Sequence, residues 1–243
     1  MGTMDIPSIS VSTLAAEIVG EEPRKRFNER FSERIYLGSA FHSIAHKIVT
    51  SLLTDQQSTI LNIIDRAQDS NELIRAATAF YWDHLISPNL LTTKGEVAHL
   101  VSCLRQFIEF ILLLVSGDEE FHVVDARQLV QKVLHYSESQ VQSYFPASSA
   151  EGKVLVRGRI DLMVLMNEEL HVVDYKLKSV SSAHIDFAQC CLYAWLFQRE
   201  KGIQAIPSLM TFNPKLELQR LEEFRAAVIE RAEQYLLTQF RQV

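Results

Sequence analysis

The stretch VLVRGRIDLMVLMNEELHVVDYKLK, residues 154–178, constrains the fold more than any other part of the chain. Two apolar runs, VLVRGRIDLMVLM and ELHVVDYKLK, meet at Asn167 and Glu168, a pattern that predicts two strands joined by a tight turn. Each run carries one carboxylate, Asp161 in the first and Asp174 in the second. Side chains alternate along a strand, so Asp174 and Lys176 point the same way with Tyr175 opposite, and a hairpin brings Asp161 within reach of both. An ionised Asp in such an apolar run costs roughly several kcal/mol unless a cation or a set of donors compensates it. Two arrangements meet that demand: a cross-strand ion pair on a solvated face, or a metal site beside a positive charge.

At 243 residues the chain is long enough to bury a sizeable core as one large domain, and 47% hydrophobic content with 8 Gly and 6 Pro indicates a helix-rich globular protein. The formal net charge of -6 argues against a generally basic coat for nucleic acid and leaves only a local basic groove open. Cys103, Cys190 and Cys191 show no CxxC spacing, so neither a disulfide framework nor a structural zinc is expected, in keeping with a reducing compartment. The first residues lack the basic start and apolar run of a signal peptide, and FIEFILLLV at 107–115 is interrupted by Glu109 and too short to cross a bilayer. These features predict a cytoplasmic protein with no membrane association.

The remaining segments read mostly as helix. Ser10 or Ser12 caps a short apolar helix within residues 8–18. The window PRKRFNERFSER, residues 23–34, is the most basic of the chain; Arg24, Lys25, Arg26 and Arg30 are candidate phosphate contacts, although a solvated helical face explains them equally well. Residues 37–53 form a helix with Phe41, Ile44, Ile48 and Leu52 as its apolar stripe, Gly38 admitting a close neighbour, and His42 and His46 sharing a face. Helical patterning continues from 56 to about 115, where Tyr81, Trp82 and Phe107 read as core and His84 and His99 have no assignable partners. ESQVQSYFPA reads as a strand, with Glu138 either a group near the metal site or, the slightly favoured reading, a solvated strand-end residue. Arg157 and Arg159 lie just ahead of Asp161, and Lys178 closes the hairpin. A helix over about 183–200, capped by Ser182 and stopped at Gly202, places Gln189 and Tyr193 on one face. AIPSLMTF is then a buried strand parallel to the DYK strand, and LQRLEEFRAAVIERAEQYLLTQF a closing helix.

Five separate stretches taken together resemble the RecB-like exonucleases of the PD-(D/E)XK nuclease superfamily, which include the CRISPR-associated exonucleases of that type. PRKRF at 23–27 matches a proline-basic segment, GSAFH at 38–42 a G-x-x-x-H helix, and GRID at 158–161 a G-x-x-D strand; DYK at 174–176 matches a D/E-x-K strand and QCCLY at 189–193 a Q-x-x-x-Y helix. All occur in the family's order. The resemblance implies a restriction-endonuclease-like mixed α/β sheet flanked by helices. Residues 118–243 would form the α/β core, completed by the 36–53 helix, with 54–117 as an inserted helical subdomain of a single domain spanning 1–243.

The resemblance further implies that His42, Asp161 and Asp174 ligate a divalent cation, that Lys176 is the catalytic lysine, and that Gln189 and Tyr193 position the nucleic acid or the site. His46 is left as a helix-face residue. An oxygen-rich donor set suits Mg²⁺ or Mn²⁺, with the backbone carbonyl of Tyr175 as a further ligand. Arg159 and Lys178 join the basic window as nucleic-acid contacts. Many relatives hold an iron-sulfur cluster on four cysteines, but Glu22 precedes Pro23 here and no cysteine follows Cys191, so no cluster is expected. The implied partners are nucleic acid, DNA rather than RNA, and a protein such as a helicase or a defence complex. The alternative is a catalytically silent or latent subunit that keeps the fold for binding.

Overall fold

The computed structural model describes residues 6–20, 29–54, 94–116, 134–146, 153–177, 183–212 and 215–240. In chain order the elements are β1 (Ser8–Ser10), α1 (Val11–Val19), α2 (Glu29–Thr54), α3 (Lys94–Ser116), β2 (Leu134–Pro146), β3 (Lys153–Met166), β4 (Glu169–Lys176), α4 (Ala183–Lys201), β5 (Ile206–Phe212), β6 (Leu216–Arg220) and α5 (Glu222–Gln239).

The expected hairpin is the centre of the sheet. β3 and β4 pair antiparallel from Met166↔Glu169 to Leu162↔Val173, and Asn167 and Glu168 form the turn with φ of 50° and 65°. Left-handed values at both turn positions are those of the type I′ connection that matches strand twist. Along its other edge β3 pairs with β2 from Lys153↔Pro146 to Val164↔Leu134, with a register shift between Leu134 and Tyr136. The edge that carries β4 also carries β1, parallel, at Leu155–Arg157. Residues 158–161 therefore lie between the two partners, and the site opens at the Asp161 end of this gap. β5 runs parallel to β4 and β6 antiparallel to β5, which completes a mixed sheet.

Helices cover both faces. α1, α4 and α5 pack one side through Val11, Leu14, Leu192, Trp195 and Leu236; α2 and α3 pack the other through Phe41, Ile44, Ile48, Cys103 and Phe107. The stripe read from the sequence in α2, including Leu52, is buried as expected, and so is Phe107. α3 thus shares a core with the sheet and α2; the rest of the expected 54–117 insertion, with Tyr81, Trp82 and His84, lies outside the described residues.

Several expectations need correction. Ser10 is the cap of α1, its side chain accepting from the Thr13 amide, but residues 8–10 are a strand rather than the start of the helix. The closing helix begins at Glu222, because Leu216 and Leu218 instead alternate inward on β6 against β5. Among the described residues Gly38 has no close neighbour: a Cβ there would meet none of them within 4 Å. Gly202 does end α4, with φ of 72° and its amide bonded to the Gln198 carbonyl. All three cysteines are free and buried.

Candidate active site

The hairpin positions both carboxylates by register. One step beyond its last pair, Leu162↔Val173, the next opposed residues are Asp161 and Asp174. They are 6% and 4% exposed, well inside the range where an ionised group needs a partner. The alternation of β3 also slips by one residue here. Ile160 and Met163 pack with α1 and α4, whereas Leu162 and Val164 pack with α2 and α3, so Asp161 stands where the strand changes phase. That slip, with the departure of β4, lets Asp161 meet groups from different elements.

Asp161 is held from two directions. Its Oδ1 lies 3.0 Å from Nδ1 of His42 on α2, and its Oδ2 accepts the Tyr175 amide at 2.9 Å. Burial by itself would raise its pKa, but His42 and the Tyr175 N–H hold it below the ordinary carboxylate range. An ionised carboxylate only accepts, so Nδ1 of His42 carries the proton and Nε2 is the ring nitrogen left as a donor atom for a metal. For His42, burial works against the charged form, and the hydrogen bond and charge of Asp161 outweigh it and raise its pKa.

Asp174 has the opposite character. Burial pushes its carboxyl up to about 7, with the charge of Asp161 adding to the effect and Lys176 opposing it. Its Oδ2 is 2.6 Å from Nζ of Lys176, an ion pair whose carboxylate is buried. Lys176 also reaches Oε1 of Gln189 at 3.2 Å and Oδ1 of Asp186 at 3.6 Å. Burial disfavours its charged form, but these carboxylates outweigh that and raise its pKa, so the side chain is a fixed ammonium.

Gln189 and Tyr193 come from α4 as expected. Gln189 accepts from Lys176, and the ring of Tyr193 packs on β3 at Gly158. Burial raises the Tyr193 pKa and the charges of Asp174 and Asp161 add to it, which keeps the phenol protonated beside the carboxylates. Tyr175 contributes its amide to Asp161 while its ring packs edge-on to Phe41 and Phe107. His46 lies 3.3 Å from Thr50 Oγ1, a contact within its own helix.

Two residues of this neighbourhood carry no signal in the motifs. Asp186 stands three residues before Gln189 and seven before Tyr193, on the same helical face, and that spacing could have found it. His99 on α3 has its Nε2 3.1 Å from the Leu177 carbonyl, immediately after Lys176. Arg159 is exposed on β3. Arg24, Lys25, Arg26 and Lys178 lie outside the described residues, and so do the side chains of Arg30 and Glu138.

Among the described residues no set of three His, Cys, Asp or Glu side chains is gathered closely enough to hold an ion as placed. The donor chemistry nevertheless fits a small divalent cation: two buried carboxylates opposed on the hairpin and an imidazole hydrogen-bonded to one of them. Besides Asp174, Asp186 and Gln189 also lie within reach of the Lys176 ammonium.

A mixed sheet wrapped by helices on both faces, with a hairpin that opposes two carboxylates beside a lysine, is an α/β arrangement consistent with the PD-(D/E)XK nuclease fold. A model of the PD-(D/E)XK nuclease superfamily matches residues 16–243, and the chain belongs to that superfamily. No curated protein matches the sequence. Among solved structures, the crystal structure of SSO0001 is similar at 13% identity, over 96% of this chain and 76% of that one, with a TM-score of 0.33. Superfamily membership implies a nucleic-acid substrate and the divalent-metal chemistry typical of these enzymes. Among the described residues no helix is long and apolar enough to cross a membrane.

Proposed function

We propose that the protein is a divalent-metal-dependent nuclease of the RecB-like branch, hydrolysing DNA phosphodiester bonds from strand ends in recombination, repair or defence against foreign DNA. The observation that carries this reading is the opposition of Asp161 and Asp174 at the open end of the hairpin, with Lys176 2.6 Å from Asp174. His42, Asp161, Asp174 and the Tyr175 carbonyl would hold Mg²⁺ or Mn²⁺. When bound, the ion supplies an acidified water and polarises the phosphate.

The chain's own groups do the rest. Lys176, permanently charged, steadies the negative charge that gathers on the phosphate oxygens and fixes the direction of attack. Gln189 holds Lys176 in that direction through its carbonyl oxygen. Asp161 fixes the tautomer and orientation of His42, and Tyr193 keeps bulk water from that side of the carboxylates. The basic window of residues 24–30, with Arg159 and Lys178, would meet the substrate's phosphates, and a helicase or defence complex is the partner this branch implies.

The test is cleavage of end-labelled linear and circular DNA, and of RNA, with Mg²⁺, Mn²⁺ or EDTA, run beside Lys176→Ala. Metal-dependent loss of linear DNA by wild type alone is the expected result. Intact substrates at every enzyme concentration would defeat the reading. One observation favours a latent enzyme instead: Asp174 is engaged by Lys176 at 2.6 Å. Calorimetry separates the two, since a latent or silent subunit shows no divalent-ion binding that Asp161→Ala removes.

A further inference from the structure

β4 ends at Lys176, whose pairing with Thr211 is the last in its ladder with β5. Pairing opens first at a strand end, so the direction of the Lys176 side chain depends on what holds the backbone beside it. Alternation turns Lys176 towards α4, where it meets Gln189 and Asp186, and turns Tyr175 and Leu177 towards α2 and α3. α3 touches the strand on both sides of the lysine. The Phe107 ring lies edge-on to the Tyr175 ring, with centroids 5.4 Å apart at 76°, and Nε2 of His99 lies 3.1 Å from the Leu177 carbonyl oxygen. A carbonyl oxygen only accepts, so His99 is the donor in this bond. His99 and Phe107 stand eight positions apart (107 − 99), on one face of α3. Cys103 lies between them, fully buried, with Sγ 3.7 Å from Nε2 of His99, so the thiol packs against the imidazole.

We infer that α3 is a clamp on β4 and that His99, holding the Leu177 carbonyl as Phe107 holds the Tyr175 ring, is a positioning residue for the Lys176 ammonium. The lysine's part in cleavage rests on the nuclease reading; the hold on the strand does not. Asp174, Asp186 and Gln189 locate the far end of the Lys176 side chain, and His99 locates its root by tying down the first residue beyond the ladder. A long flexible side chain keeps one direction only when both ends are fixed. Because His99 acts through the backbone after Lys176, it leaves the contacts of Asp161 with His42 and the Tyr175 amide in place. α3 thereby ties to the lysine strand by a hydrogen bond as well as by apolar packing.

The experiment compares His99→Ala, His99→Gln and His99→Asn in the full chain. A glutamine amide nitrogen reaches the position of Nε2 and donates to a carbonyl, whereas asparagine ends one carbon short. Steady-state cleavage of linear DNA with Mn²⁺, well below each melting temperature, should show kcat lowered about 10- to 100-fold in His99→Ala and His99→Asn, with KM unchanged, and largely recovered in His99→Gln. The rise in melting temperature on adding Mn²⁺ should persist in all three. A purely structural loss would lower the melting temperature and leave the rate of the folded enzyme alone. Hydrogen exchange followed by mass spectrometry reads the strand without any activity. Amides of residues 174–177 should lose about tenfold in protection in His99→Ala and regain it in His99→Gln, while those of 162–166 keep theirs. Phe107→Leu, which keeps the core apolar, should loosen the same residues and supplies the answer if His99→Ala does not fold.

Unchanged protection at residues 174–177, or equal kcat in wild type and His99→Ala, would overturn the inference. Loss of the Mn²⁺-induced rise would also overturn it, since His99 would then act on the ion rather than on the lysine. The two readings fail separately. If wild type cleaves nothing with either metal while His99→Ala loosens the strand, the nuclease reading falls and the clamp stands; if wild type cleaves, and His99→Ala cleaves and exchanges like it, the clamp falls alone.

Discussion

Tyr193 occupies the space that a side chain on residue 158 would need: a Cβ at Gly158 would lie 2.5 Å from Cε1 of Tyr193 and 2.8 Å from Cγ2 of Val11. The glycine of the GRID stretch is thus required by the tyrosine of the QCCLY stretch, although 35 positions separate them in sequence (193 − 158). Gly158→Ala should destabilise the protein by about 1–3 kcal/mol, because both neighbours belong to a packed layer. In urea denaturation the cost should shrink when Tyr193→Leu is combined with it, so that the double variant is more stable than the two single costs predict. Strict additivity would mean that the contact is not the reason for the glycine.

The hairpin turn contains a removable strain. Glu168 adopts φ of 65° directly after Asn167 at 50°, and of the two only Asn is at home in the left-handed region. Glu168→Gly should therefore stabilise the protein by about 0.5–1 kcal/mol, the relief of strain exceeding the entropy that glycine adds to the unfolded chain. Asn167→Gly should gain less. The urea midpoint reads both, and a fall in midpoint for Glu168→Gly would show that the Glu168 side chain has a compensating role.

His171 should make stability depend on pH below neutrality. It is buried on β4, with Nδ1 2.9 Å from Ser208 Oγ, and burial, assisted by the charge of Arg220, holds its pKa below the usual imidazole value. The unfolded chain takes up the proton first, so the stability contributed by the neutral ring is complete above about pH 6.5 and is lost as pH falls towards the depressed folded value. Relative to His171→Asn, wild type should lose stability as pH falls through the interval below about 6.5. Parallel stability curves over that interval would rule out His171 as the titrating group.

The legible parts of this molecule were those written locally. The hairpin shows in its alternation and its polar turn, α2 in its stripe, and α4 in its Gly202 stop, because each depends on neighbours a few residues away. β1 escaped because Ser8–Ser10 is a strand only by virtue of the edge of β3 that β4 leaves open, 147 positions along the chain (155 − 8). β6 escaped because LELQR has helix-forming composition and runs into a true helix, so pairing with β5 overrode propensity. At the site, the spacing that marks Gln189 and Tyr193 says nothing of what Lys176 touches. The phase slip at Asp161 breaks the alternation from which its direction would be read.

Asp186 is the residue by which the arrangement around Lys176 is best tested. It lies 3.6 Å from the ammonium, one turn of α4 from Gln189, while Asp174 lies at 2.6 Å. Metal binding by Asp174 would weaken its hold on Lys176, leaving Asp186 and Gln189 to fix the direction of the ammonium. A side chain misplaced by an ångström or so can cost about 10²-fold in rate, so Asp186→Ala should reduce metal-dependent cleavage by about 10- to 100-fold. Because Asp186 is assigned to the lysine rather than to the ion, the rise in melting temperature on adding Mn²⁺ should persist in this variant, whereas Asp174→Ala should lose both the rise and the cleavage. Asp186→Glu, which restores the charge on a longer arm, should recover part of the rate. If Asp186→Ala abolishes the metal-induced rise as well, Asp186 is itself a ligand, and the division between metal-binding and lysine-positioning carboxylates drawn from the distances around Lys176 is wrong.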